Sequence, residues 1–173
     1  GEGGRGAWGD FDNDGDLDLY VSRPPKLYVN DGSGGFSDSQ NILPSPINAG
    51  QAISWIDFDN DGNLDAFVAS GTPGSGRLFR NSGNNNASLT LRLRGTVSNR
   101  DGIGARIRLV AGGLTQIREV NARSGYPGGQ GFTVHFGLRD NSQADLIEVR
   151  WPSGVVDVYT HLAAGTVVEL VEG

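Results

Sequence analysis

Apolar residues recur at every second position through much of this chain, and the alternation is cleanest in its C-terminal half. Leu89, Leu91 and Leu93 alternate with Thr90, Arg92 and Arg94, and Ala105, Ile107 and Leu109 alternate with Arg106 and Arg108. Phe132, Val134, Phe136 and Leu138 share one face, with Thr133 and His135 on the other; Ile147, Val149 and Trp151 face away from Glu148 and Arg150. A period of two is that of a half-buried antiparallel strand, with one side on a core and the other in water. Pro152-Ser153-Gly154 turns the last of these strands into residues 155–160, and residues 166–171 close the chain. About seven strands of this kind predict an antiparallel β-sandwich or a partly open barrel. No stretch carries a convincing helical period.

The N-terminal half is organised as a repeat. Trp8-Gly9-Asp10-Phe11-Asp12-Asn13-Asp14-Gly15-Asp16-Leu17-Asp18 returns 47 positions later as Trp55-Ile56-Asp57-Phe58-Asp59-Asn60-Asp61-Gly62-Asn63-Leu64-Asp65. Each copy is followed by a short apolar strand (17–22 or 64–70), a turn (Arg23-Pro24-Pro25 or 71–76) and a second strand (26–30 or 77–81), by which point the offset is 51. Repeats made of short strands and turns belong to propellers, solenoids or arrays. Trp8 and Trp55 occupy matching positions and are expected in the cores of their repeats. The polar run Asn81-Ser82-Gly83-Asn84-Asn85-Asn86 reads as a boundary. It divides the chain into a repeat region, 1–83, and a β-domain, 84–173. The whole is expected to be all-β.

Charge sharpens this picture. The formal net charge is −6, which argues against nucleic acid as a partner. Nine of the 20 acidic residues sit in residues 10–18 and 57–65. Carboxylates held that close repel and need a counter-ion. The chain has no Cys, so no disulfide staples it. No apolar run is long enough for a membrane-spanning helix, and no membrane insertion is expected.

The acidic segments share the pattern D-x-D-x-D-G-x-x-D. Ca²⁺ is a hard cation that takes roughly six to eight oxygens. In the first segment Asp10, Asp12 and Asp14 would give side-chain oxygens, Gly15 the sharp turn, Asp16 a backbone carbonyl, and Asp18 would close the shell. In the second the same parts fall to Asp57, Asp59, Asp61, Gly62, Asn63 and Asp65. Val21 and Val68 stand where an EF-hand loop has its bidentate Glu, so affinity is expected in the weak extracellular range, about 10⁻⁴–10⁻³ M. Two bound Ca²⁺ would bring the formal charge from −6 to −2.

These segments, with Leu27-Tyr28-Val29-Asn30-Asp31-Gly32-Ser33-Gly34-Gly35-Phe36 after the first, resemble the FG-GAP (VCBS) repeat. That resemblance implies propeller-type blades that bind calcium in the inter-strand hairpin. Residues 98–106, Arg118-Glu119-Val120, Ser124-Gly125-Tyr126, Val134-His135-Phe136-Gly137-Leu138 and 148–154 resemble the ASPIC/UnbV domain. Its loop Pro127-Gly128-Gly129-Gln130-Gly131 is richer in glycine than is usual there. The two in this order imply calcium binding and extracellular interaction, and no defined catalytic site.

Two blades cannot close a ring, so another surface must cover their open sides. The leading expectation is a calcium-binding extracellular structural or adhesive module that associates head to tail into a filament. The competing one is a glycan- or protein-recognition module belonging to a larger secreted propeller. An enzyme is not expected: there is no Cys nucleophile, and His135 and His161 are the only histidines. His135 is read as a hydrogen-bonded structural residue. Arg92, Arg94, Arg106 and Arg108 are read as a solvated face paired with acids.

Overall fold

Each acidic segment joins the first two strands of a small antiparallel sheet. β1 (Gly6–Gly9) and β2 (Asp18–Ser22) pair with Gly9 opposite Asp18. β3 (Pro25–Asn30) and β4 (Phe36–Asp38) complete a four-stranded sheet in the order β1-β2-β3-β4. In the second repeat β5 (Gly50–Ile56) and β6 (Asp65–Ser70) pair with Ile56 opposite Asp65, and β7 (Arg77–Phe79) adds a third strand. The computed structural model describes residues 6–22, 25–39, 50–70, 76–121 and 132–173. The expected turns at Arg23-Pro24 and 71–75, together with Ser124-Gly125-Tyr126 and the glycine-rich loop 127–131, lie outside the described residues.

The two repeats share one strand register and bury opposite faces. In the first, Ala7, Tyr20 and Leu27 form a cross-strand row and are buried at 8%, 0% and 2% exposure. Their counterparts Ser54, Phe67 and Leu78 form the same row in the second repeat, where Phe67 and Leu78 are 44% and 45% exposed. Conversely, Trp55 and Ala66 are buried while their counterparts Trp8 and Leu19 are not. The reason is stacking: β1 and β2 lie across β5, and one apolar cluster joins Ala7, Tyr20 and Leu27 to Ile53, Trp55, Ala66 and Val68. Two like sheets stacked front to back each turn a different side inward, and these two do. The expectation that Trp8 is a core residue is therefore overturned. Trp8 is 52% exposed and packs edge-on with Phe36, with ring centroids 6.1 Å apart. Gly9 lies under the Trp55 ring, where a Cβ would come within 2.6 Å of Cδ1, so the close stacking requires a residue without a side chain.

The remaining strands form two sheets around a separate core. β8 (Ala87–Arg94) is central between β11 (Thr133–Arg139) and β14 (Thr166–Val171). β9 (Arg106–Ala111) and β12 (Gln143–Arg150) are central between β10 (Leu114–Glu119) and β13 (Val156–Ala163). Leu89, Leu91, Phe136 and Leu138 from one sheet and Ile107, Leu109, Ile147 and Val149 from the other have no exposed surface, so the inner faces make one sandwich core. β14 runs parallel to β8, a pairing that alternation alone does not reveal. Of the arginine face, Arg94 lies 3.2 Å from Glu169, and β9 and β12 set Arg108 opposite Glu148. Among the described residues there is no helix.

The chain divides into two compact units. The first takes the described residues up to Phe11 and from Asp16 to Gly83, the second Asp12–Gly15 and the described residues from Asn84 onward.

Glu172 is the polar anchor of the second unit. Its carboxylate accepts from the backbone N–H groups of Thr96, Val97 and Ser98 at 2.7–2.9 Å and from the hydroxyls of Ser98 and Ser153. Burial alone would raise its pKa, but these donors outweigh it and hold the group at about 2. A carboxyl depressed in the folded state stabilises above its unfolded pKa, and that stabilisation fades as pH falls through the folded value. The stability of this unit should therefore be flat above about pH 4.5 and decline towards pH 2. Glu172→Gln should flatten that acid limb; urea titrations at pH 6, 4 and 2.5 check this, and an unchanged acid limb would remove Glu172 as its source.

Candidate metal centre

The two acidic loops adopt one backbone. Asn13 and Asn60 both have φ 58°, and Gly15 and Gly62 have φ 92° and 86°. A glycine two residues after a left-handed Asn lets the chain reverse tightly enough to bring carboxylates together. Oxygens of Asp10, Asp12 and Asp18 lie within 4.8 Å of one another in the first loop, as do those of Asp57, Asp59 and Asp61 in the second. Asp14 and Asp16 are not in the first group, nor is Asp65 in the second. Asp16 instead lies against Gly32, and Asn63 against Gly83, where it donates to Asp61 Oδ1 at 2.9 Å.

Asp18 and Asp65 have a second task. Asp18 accepts from the N–H of Phe11 at 2.8 Å and of Asn30 at 2.9 Å. Asp65 accepts from Phe58 at 3.1 Å and Asn81 at 2.7 Å. Each carboxylate thus ties the start of its loop to the end of the next strand but one. Asn30 and Asn81 continue the tie by donating their amides to the carbonyls of Leu17 and Leu64, both at 3.2 Å. Each also accepts from the second residue on, Gly32 or Gly83. The signal for these asparagines was present as Asn-x-Gly at the offset of 51, where strand patterning treats them only as a strand end.

Burial and charge act together on these acids. Asp10 and Asp18 are 1% and 0% exposed. Burial raises the pKa of Asp12, and the neighbouring Asp14 charge raises it further. Burial likewise raises Asp57 and Asp65, with the charge of Asp61 adding to both. A carboxyl pushed upward by burial and by like charge is relieved by a cation. An oxygen-only donor set of this kind fits a hard divalent ion.

The loops differ in one respect that sequence reading missed. Arg80 lies beside the second, with Nε 2.6 Å from Asp59 and Nη2 3.0 Å from Asp61. Its position in the first repeat is Val29. Asp61 is held below the usual carboxylate range: burial pushes it up, but hydrogen bonds from Asn63 and the Arg80 guanidinium outweigh this.

The tip of the first loop, Asp12–Gly15, belongs to the second unit, whose side chains take up its carbonyls. Asn84 and Asn86 donate to Asp12 O at 2.6 and 2.8 Å, and Arg139 donates its N–H to Asn13 O at 2.9 Å and its Nε–H to Asp14 O at 2.6 Å. His135 Nε2 sits 2.7 Å from Asn13 Oδ1. An amide oxygen only accepts, which places the imidazole proton on Nε2. Burial, then the Arg118 charge, lowers the His135 pKa to about 4, so the ring is neutral at pH 7. In the second loop Asn60 is exposed.

A family model for the FG-GAP-like repeat matches residues 10–68, and one for ASPIC and UnbV matches residues 95–173. An FG-GAP-like repeat thus precedes an ASPIC/UnbV match along the chain. No curated protein gives a significant match. FG-GAP-like repeats are propeller-type and typical of extracellular or surface proteins, and the pair of domains is that of a propeller-like extracellular module. Among the described residues no helix is long and apolar enough to cross a membrane.

Proposed function

We propose that this FG-GAP–ASPIC/UnbV chain is a calcium-binding structural or adhesive module outside the cell, and that it associates head to tail into filaments. The observation that carries the calcium reading is the convergence of Asp10, Asp12 and Asp18, two of them buried, with Asp12 pushed upward by burial and by Asp14. Asp10, Asp12 and Asp18 would hold one ion, and Asp57, Asp59 and Asp61 the other. The ion supplies positive charge that fixes each hairpin, and the chain supplies the preset loop.

Equilibrium dialysis with elemental analysis should find two Ca²⁺ per chain. With a Kd of about 10⁻⁴ M, 10 mM Ca²⁺ stabilises the fold by about 2.7 kcal/mol per site. Equal melting temperatures in calcium and in chelator would sink the reading. The two sites should be unequal, because Arg80 already neutralises part of the second. Asp12→Ala should weaken the first site at least about tenfold, and Arg80→Gln should tighten the second. Calorimetric titration of each variant checks both, and an Arg80→Gln site no tighter than the native one would show that the guanidinium does not compete.

A further inference from the structure

The first unit carries, on its two outer sides, the counterparts of the two faces that it buries within. Inside, the row Ala7–Tyr20–Leu27 packs on the row Trp55–Ala66–Phe79. The second repeat's counterpart of the first row is Ser54–Phe67–Leu78, and the first repeat's counterpart of the second row is Trp8–Leu19–Tyr28. Both counterparts face outward, with Phe67, Leu78 and Trp8 at 44%, 45% and 52% exposure. Ile56, at 46%, extends the one face, and Phe36, at 47%, the other. Clustered apolar exposure of this kind marks an interaction surface.

We propose that these faces are the two halves of a contact between copies, with Ser54, Phe67 and Leu78 of one copy stacking on Trp8, Leu19 and Tyr28 of a second copy of this chain. The occupant follows from the repeat itself. The internal stacking shows what covers a face of the Ala7–Tyr20–Leu27 type, namely a face of the Trp55–Ala66–Phe79 type. The chain bears an outward example of each. Aromatic and aliphatic groups stand at matching positions: Phe67 and Leu78 where Tyr20 and Leu27 stand inside, Trp8 and Tyr28 where Trp55 and Phe79 stand. The contact is heterologous, so each added copy leaves one face open at either end, and growth continues until a ring closes or a filament forms. This inference rests on the head-to-tail association proposed above and adds the surfaces that make it.

The test uses the full chain in calcium, as wild type, Trp8→Asp, Phe67→Asp and an equimolar mixture of the two variants, followed by sedimentation velocity and negative-stain microscopy. Wild type should form species larger than a dimer, and each variant alone should sediment as a monomer. The mixture should give one-to-one dimers and nothing larger, since each variant keeps the face that the other has lost. Both substitutions are at exposed positions, and circular dichroism should match the wild type; if either variant unfolds, Trp8→Ser and Phe67→Ser replace them with the same expectations. Assembly by either variant alone, or a mixture that stays monomeric, overturns the assignment of faces while leaving self-association standing. A wild type that stays monomeric overturns self-association itself, and the faces with it.

Discussion

Asp18→Ala should lower the unfolding free energy by about 2–6 kcal/mol in chelator as well as in calcium, from two part-buried N–H groups losing their acceptor at roughly 1–3 kcal/mol each. The residue has no exposed surface, and its two oxygens hold the N–H groups of Phe11 and Asn30. A pure metal ligand would behave otherwise: its removal matters only when the ion is present. Asp12 approaches that behaviour, since apart from the loop acids the hydrogen bond it accepts is a long one, 3.3 Å from the N–H of Asp14. Urea unfolding of both variants, with and without calcium, separates the two roles. Asp18→Asn keeps one acceptor oxygen and should fall between wild type and Asp18→Ala. If Asp18→Ala matches the wild type in chelator, the hydrogen-bonded tie contributes nothing to stability. Asp65→Ala should repeat the result in the second hairpin, because Phe58 and Asn81 stand in the places of Phe11 and Asn30.

The acidic loops were legible in the sequence because their geometry is local. Alternate carboxylates followed by a glycine specify a tight turn whatever surrounds it, and Gly15 and Gly62 have the positive φ that the turn requires. The strands of the second unit were legible for a similar reason, since period-two alternation is the trace of a sandwich with one wet face. What alternation does not carry is partnership between distant strands. The parallel pairing of β14 with β8 joins residues about as far apart as the second unit allows. β10 was missed because Leu114-Thr115-Gln116-Ile117-Arg118-Glu119 places polar Gln116 inward, 4% exposed, and apolar Ile117 outward, 47% exposed. Gln116 is tolerated inside because its amide donates to Gly137 O at 2.6 Å. Arg80 and Asn30 escaped notice for a different reason: each acts on a loop from a strand more than ten residues away, and only the fold sets that distance to zero.

Trp55→Ala should cost about 3–5 kcal/mol, whereas Trp8→Ala, at the same place in the other repeat, should cost about 1 kcal/mol or less. Sequence identity between repeats predicts equal effects; stacking predicts unequal ones. Trp55 is 1% exposed, covers Gly9, meets Phe11 with ring centroids 5.8 Å apart and directs its Nε1 at Ala7 O from 3.5 Å. Its removal opens a cavity between two sheets that share one apolar cluster, and neither sheet has a second inner face to collapse onto. Trp8 is half exposed already, and its edge-on packing with Phe36 lies at the surface. The inequality should reverse for assembly: Trp8→Ala leaves the fold standing and weakens copy-to-copy contact, while Trp55→Ala weakens the fold that presents both faces. Thermal unfolding at a protein concentration low enough to hold every sample monomeric measures the first inequality free of the second. Equal destabilisation by the two alanines under that condition would mean that both repeats bury the same face, and the stacking that gives each sheet a distinct inner side would be wrong.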